Sequence, residues 1–284
     1  MDDKKEIILL IFILVVFDVF IWWQVLFNGP NKKNAELYFL DVGQGDAELV
    51  VLPGGVKILI DAGPNNQILN QLSSIFSPFN RYIDLAILSH PQTDHFTGLI
   101  DVLKRYQTGI FISNGQKGTA RSFSDLEKII KENKIKTINL AAGDKIRYQN
   151  NYLDILSPSK DLLLSNELND TGLTIKLNTQ GASALFTADI DSKIEEELSK
   201  KYNLDIDILK VAHHGSKYSS SENFLIKTSP RIAVIEVGKN SYGHPANEVL
   251  NRLAFVGAQI FRTDQDGTIK LIINHSQINI LKRK

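Results

Sequence analysis

Apolar residues are distributed along this chain in three ways. From residue 7 to residue 27, Ile, Leu, Val, Phe and Trp follow one another almost without a break, and Asp18 is the single charge. No polar face interrupts residues 7–17, which is the pattern of a membrane-spanning helix rather than of an amphipathic core helix. At about 1.5 Å per residue the run makes about 30 Å of helix, the thickness of a bilayer's hydrocarbon layer. Asp18 would cost about 2.5–3.5 kcal/mol near the bilayer centre, which its apolar neighbours offset. The residues that follow, Asn-Gly-Pro-Asn-Lys-Lys-Asn at 28–34, have the composition of a linker.

Beyond the linker, short apolar runs bounded by turn residues predict strands at 37–40, 48–52, 57–60, 83–89, 110–112, 152–156, 173–177, 184–186, 206–211 and 231–237. Helical spacing interrupts them. Phe96, Leu99, Ile100, Leu103 and Tyr106 recur every three or four residues, as one buried helix face requires. Ser124 and Glu127 have the spacing of a capping box for a helix reaching Asn133, and residues 191–202 and 247–256 are further amphipathic helices. Asp266-Gly267, between apolar runs at 259–263 and 268–273, predicts a closing hairpin. Strands dominate while helices recur between them, so an α/β (α+β) domain with helix-covered sheets is expected. The chain then divides into a tail at 1–6, an anchor at 7–27, a linker at 28–36 and one large domain at 37–284.

Composition narrows the chemistry more than the fold. Lys and Arg number 32 and so do Asp and Glu, so no global positive field draws in a polyanion and any nucleic-acid contact must be local. Cysteine is absent, which excludes disulfides and thiolate nucleophiles and leaves His and carboxylate as metal ligands. Lys4 and Lys5 precede the apolar run as they would in a signal peptide. Bulky residues at 22–27 stand where a signal peptidase needs small ones, which favours an uncleaved single-pass anchor in the cell membrane. Lys32 and Lys33 nearly balance Lys4 and Lys5 across the span, and the expected orientation places the domain outside the cytoplasm.

Polar residues gather where strand-like runs stop: Asp61, His90, Asp189 and the pair His213-His214. One such ending is ordinary, but several strands ending this way at one sheet edge build a site. Ser89-His90-Pro91-Gln92-Thr93-Asp94-His95 joins a strand to a helix. Singly, each His there is an ordinary surface residue and Asp94 a helix cap; together they suit Zn²⁺ or Mn²⁺ with positions left open for water. Gly43 and Gly45 would let the loop around Gln44 and Asp46 approach an anionic ligand, although a tight turn is the plainer reading. Ser216 and Lys217, with Ser219, Ser220 and Ser221, either donate to phosphate oxygens or cap a helix at 222–227.

His90-x-x-x-Asp94-His95 resembles the metal loop of the metallo-β-lactamase superfamily, and Leu40-Asp41-Val42-Gly43-Gln44-Gly45-Asp46-Ala47 resembles the opening of its ComEC-type branch of DNA-uptake proteins. Leu59-Ile60-Asp61-Ala62-Gly63-Pro64 is similar to the first Asp motif, and Leu185-Phe186-Thr187-Ala188-Asp189 to the bridging-Asp motif. Leu209-Lys210-Val211-Ala212-His213-His214-Gly215-Ser216 and Tyr242-Gly243-His244-Pro245 are similar to the two late motifs. The resemblance covers residues 37–273 and implies a four-layer αββα sandwich. It also implies that His90 serves one metal, Asp94, His95 and His213 the other, and Asp189 both. His214 and His244 are either ligands or holders of a scissile phosphate. Gln92 stands where the family has His or Asp, and Thr171-Gly172 where Asn and Ser are usual, so the first metal position is expected to be the weaker.

Two adjacent metals suit phosphodiester hydrolysis and need no side-chain nucleophile. The expected function is a membrane-anchored, metal-dependent phosphodiesterase or nuclease acting on DNA, with one or two divalent metals per chain. Its catalytic residues would be Asp61, Asp94, Asp189 and His214, and its substrate contacts Gln44, Asp46, Ser216, Lys217 and His244. The alternatives are a hydrolase of a small ester, lactone or cyclic nucleotide, and a non-catalytic membrane-tethered binding module. A basic stripe at the site would favour DNA, and an enclosed pocket a small substrate.

Overall fold

The computed structural model describes residues 3–27 and 33–283. In chain order it contains α1 (Asp3–Phe27), β1 (Ala35–Phe39), β2 (Glu48–Val51), β3 (Lys57–Ile60), α2 (Gln67–Ile75), β4 (Tyr82–Ile87), α3 (Thr93–Arg105), β5 (Gln107–Ser113), α4 (Phe123–Glu132), β6 (Lys136–Asn139), β7 (Lys145–Tyr148) and β8 (Asn151–Ser157). It continues with β9 (Thr174–Thr179), β10 (Ala182–Phe186), α5 (Ser192–Lys201), β11 (Ile208–Lys210), α6 (Glu222–Thr228), β12 (Ile232–Ile235), α7 (Asn247–Phe255), β13 (Gln259–Arg262), α8 (Thr263–Asp266), β14 (Thr268–Asn274) and β15 (Gln277–Arg283). Among the described residues the strands form an 8-stranded sheet, β15-β14-β1-β2-β3-β4-β5-β6, and a 7-stranded sheet, β13-β12-β11-β10-β9-β8-β7.

Side-chain alternation along the strands decides the layering. Leu37 and Phe39 of β1, Ile58 and Ile60 of β3, Ala184 and Phe186 of β10, and Ile232 and Val234 of β12 fill one core between the sheets. The intervening residues face outwards. Leu49, Leu59 and Ala86 pack under α2, α3 and α4 with Ile68, Phe96, Leu99 and Leu126. Leu185, Leu209 and Ala233 pack under α5, α6 and α7 with Ile194, Phe224 and Leu253. Three cores between four layers give the αββα sandwich that the resemblance implied. α1 lies outside all of them: its apolar side chains from Ile7 to Trp23 are exposed, Ile21 at 43% and Ile8 at 65% being the extremes. Lys4–Trp23, with a mean hydropathy of 2.6, is long and apolar enough to cross a membrane.

Three local expectations are corrected. Asp266-Gly267 is not a hairpin turn: it ends the helical turn α8, with Gly267 at φ 68, and carries the chain from β13 in one sheet to β14 in the other. The closing hairpin is β14–β15, turned at His275 (φ 46) and Ser276 (φ 66), as a type I′ turn requires. Ser124 does not cap α4, which has already begun at Phe123; its hydroxyl donates to the Arg121 carbonyl, and Glu127 pairs instead with Lys117 at 3.0 Å. β1 begins at Ala35, inside the stretch expected as linker, while residues 28–32 lie outside the described residues.

Candidate metal centre

Strand direction assembles the site. β3, β4, β5 and β6 run parallel in one sheet, and β10, β11, β12 and β13 run parallel in the other. Asp61 follows β3, Ser89 and His90 follow β4, Asp189 follows β10, and His213-His214 follow β11, so the carboxyl ends of strands from both sheets meet at one rim. His213 (φ 51, ψ 47) and His214 (φ 53, ψ 23) occupy consecutive left-handed conformations. Such residues cost about 1–3 kcal/mol each and persist where surrounding bonds hold them. Here the His213 N–H donates to the Ala188 carbonyl at 3.1 Å, and His214 Nδ1 meets the Glu236 carbonyl at 2.8 Å.

Asp94, His95, Asp189 and His214 each bring one ligand atom within 4.8 Å of the others. His95 Nε2 is 3.4 Å from Asp189 Oδ2, and His214 Nε2 is 3.4 Å from Asp94 Oδ2 and 3.7 Å from Asp189 Oδ2. The far side of each ring is held. His95 Nδ1 lies 2.8 Å from Asp61 Oδ2, and Asp61 also accepts from the Ser89 N–H at 2.8 Å and the Ser89 hydroxyl at 2.5 Å. With Nδ1 against a carboxylate or a carbonyl oxygen, each ring in its neutral form would keep its proton there and leave Nε2 free on the side of the other carboxylates, the tautomer a metal needs.

Among the described residues, the buried Nε2 atoms of His90, His95 and His214 and both Asp189 oxygens have no hydrogen-bond partner. Buried polar atoms are rarely left so, and five together fit a divalent cation of the kind that imidazole and carboxylate select. Burial alone would raise the Asp189 pKa, but His214 and His95 hold it well below the usual carboxylate range. Burial alone would lower His214, yet Asp189 and Asp46 push it up to about 10. Burial and the neighbouring His95 bring His90 down to about 3.

The remaining expected residues fall into distinct places. His90 lies against His95, ring centroids 4.1 Å apart and ring planes tilted by 53°. His213 does not complete the four-residue group. It is 31% exposed, with Nε2 3.8 Å from Asp189 Oδ2, and His214 is the member of the pair that belongs to that group. His213, His214, His244, Gln44, Gln92 and Asp94 line a cleft of about 610 Å³. Gln92 donates to Asn169 Oδ1, which ties its amide to the far wall. Ser216, Lys217 and Tyr218 belong to an adjoining cleft of about 560 Å³ that shares His213, Tyr242 and His244.

Asp61 is buried against Ser89 and His95 and is not among the residues that line the cleft. Asp46 is fully buried against Lys210 and is not among the residues that line the cleft. Gly45 is required by loop packing, since a Cβ there would lie 2.3 Å from the Asp94 carbonyl oxygen. The Ser216 hydroxyl is buried, while Lys217 is exposed with its ammonium 5.0 Å from the Tyr218 ring centroid.

Residues 40–238 match the Lactamase_B family, the metallo-beta-lactamase superfamily. The chain belongs to that superfamily. It is 30% identical over 261 residues to ComE operon protein 3 of Bacillus subtilis, a match covering 84% of this chain and 33% of that protein. Competence protein ComA of Neisseria gonorrhoeae is 29% identical over 246 residues, covering 84% of this chain and 32% of that protein. The chain thus spans about a third of the length of these relatives. Among solved structures, the metallo-beta-lactamase fold protein YhfI of Bacillus subtilis superposes with a TM-score of 0.57 at 11% identity, over 82% of this chain and 97% of that one, which shows the fold.

Sequence reading missed the charges behind this metallo-beta-lactamase centre: Lys210, Glu48 and Glu236, all buried. For Lys210 a signal was present. It is a lone cation inside the apolar run Ile208-Leu209-Lys210-Val211, on a strand buried on both faces, where an unpaired ammonium is not tolerated.

Proposed function

We propose that the chain is a membrane-anchored, metal-dependent phosphodiesterase acting on DNA. One observation carries the reading: five buried ligand atoms without hydrogen-bond partners converge beneath a cleft. Asp94, His95, Asp189 and His214 would hold one divalent cation, zinc or manganese, and His90 and His213 with Asp189 a second. Such a cation supplies an activated water and neutralises charge developing on a phosphodiester oxygen. Asp61 fixes the tautomer and angle of His95, and the Glu236 carbonyl does the same for His214. His244, on the cleft wall with its ring centroid 5.8 Å from that of His213, would hold a non-bridging phosphate oxygen. The ComEC-type resemblance and the competence protein among the relatives support a nucleic acid as substrate. α1 would anchor the domain, residues 37–284, outside the cytoplasm.

A second reading is favoured by the cleft itself, because none of its described lining residues is lysine or arginine. A neutral wall suits a small ester, lactone or cyclic nucleotide better than a phosphate backbone. The full chain, purified with added Mn²⁺ or Zn²⁺, is tested on single-stranded DNA, duplex DNA, a cyclic nucleotide and bis(p-nitrophenyl) phosphate. DNA cleavage abolished by EDTA is the expected result. Cleavage confined to the small esters would transfer the assignment to the second reading, and a metal-loaded chain that cleaves nothing would make it a binding module.

A further inference from the structure

Behind the metal centre, on the side away from the cleft, the chain buries a lysine among three carboxylates. Lys210, Asp46 and Glu236 are wholly enclosed and Glu48 is 2% exposed. Burying an ammonium is costly unless it is paired and hydrogen-bonded, and an apolar residue of similar volume often serves stability better. The contacts of Lys210 point to its use. Its Nζ pairs with Asp46 Oδ2, donates to the Ala188 carbonyl at 3.1 Å, and lies 3.9 Å from Oδ1 of Asp189 itself. Asp46 in turn presents Oδ1 3.2 Å from His214 Nδ1 and Oδ2 3.7 Å from His95 Nδ1. One ammonium therefore reaches His214, His95 and Asp189, each through a single intervening group or directly.

We propose that Lys210 is a positioning residue for the metal centre, pinning Asp46 behind the Nδ1 atoms of His214 and His95 and fixing the turn that presents Asp189. The inference rests on the metal-binding reading above. Two roles for the same charge have opposite signs. As a bystander about 4 Å from a ligand carboxylate, the ammonium repels an incoming dication, and its removal tightens binding. As a positioning group it orients the ligands, and its removal loosens binding, typically about 10- to 100-fold for an outer partner of a ligating histidine.

The test is titration of the full-length chain with Co²⁺, followed by the visible absorption of the bound ion. Lys210→Met is expected to weaken Co²⁺ binding at least about 10-fold and to alter the absorption spectrum, with circular dichroism unchanged. Asp46→Asn is expected to weaken it comparably. The double variant Lys210→Met/Asp46→Asn is expected to bind no more than a few-fold more weakly than the worse single variant, because the lysine acts mainly through that carboxylate. If Lys210→Met alone does not fold, the double variant, which removes one buried charge of each sign, carries the test with the same expected weakening against wild type. Unchanged or tighter binding by a folded Lys210→Met or double variant overturns the proposal, as do losses that simply add. A wild-type chain that binds no Co²⁺ overturns the metal reading and this inference with it, whereas normal wild-type binding beside unaffected variants overturns this inference alone.

Discussion

Replacing Asp61 by Asn changes one atom and tests how far the metal centre depends on a residue that never faces the cleft. The native carboxylate accepts from three donors: the Ser89 N–H at 2.8 Å, the Ser89 hydroxyl at 2.5 Å and His95 Nδ1 at 2.8 Å. An amide offers one acceptor and one donor group, so either orientation sets its NH₂ against a donor. Turning it towards the Ser89 N–H costs least, because it sacrifices one buried bond, about 1–3 kcal/mol. The two remaining bonds fall from charge-assisted to neutral, about 1 kcal/mol each. Relief of a buried carboxylate, whose pKa burial has raised, offsets part of this. A net loss of about 2–3 kcal/mol follows, together with about 10- to 100-fold weaker metal binding as His95 loses its anionic partner. Asp61 sits at φ 53, a conformation Asn adopts readily, so backbone strain does not confound the result. Urea unfolding of the metal-free chain and a Zn²⁺ titration measure the two quantities. A variant within about 0.5 kcal/mol and twofold of wild type would refute the claim that Asp61 holds His95.

Gln92→Asp frees the side chain from Asn169 and adds an anionic oxygen to the loop that carries His90, so bound metal should rise from nearer one towards two per chain by elemental analysis. An unchanged stoichiometry would mean that this position contributes no ligand. Deleting residues 1–34 removes an exposed apolar helix and ends just before β1, so the remainder should be soluble with an unchanged circular dichroism spectrum. Loss of fold would place α1 in a core. Gly45→Ala sets a Cβ 2.3 Å from a carbonyl oxygen that backbone alone supplies, so the Asp94 loop must move. A stability loss of about 2 kcal/mol and at least about 10-fold weaker Zn²⁺ binding are expected in calorimetry, and a wild-type profile would contradict the packing described for that loop.

How much of this was legible in the sequence depended on whether the cause was local. Strands β3, β4 and β10 are buried runs that stop at a polar residue, so Asp61, His90 and Asp189 marked themselves as rim residues. Strands β6 and β7 were not seen because they lie at sheet edges with exposed positions, and Lys, Thr and Arg along them break the apolar pattern that burial imposes. α2 was missed because only Ile68 and Leu72 of its face are buried. The choice between His213 and His214 was closed to sequence reasoning for another reason. Adjacent residues have the same local signal, and only the pair of left-handed conformations decides which ring turns inwards.

The same distinction explains why the front of the site was readable and its back was not. Asp61, His90, Asp189 and the pair His213-His214 at the rim are announced by the strands that end beneath them. The groups that hold the ligands are matched across the chain: Asp46 to Lys210 over 164 positions, Ala47 to Glu236 over 189, and Gln92 to Asn169 over 77. Each of these charges and amides, taken alone, reads as a turn, a strand edge or a solvated surface residue. Their meaning is set by burial of the partner, which follows from how the two sheets face one another and not from any neighbour in sequence. A charged residue within an apolar run is the one local trace such a pairing leaves, because a chain that folds cannot bury it unmatched. Lys210 is that trace here, and the partner it requires was already present in the glycine loop that opens the domain.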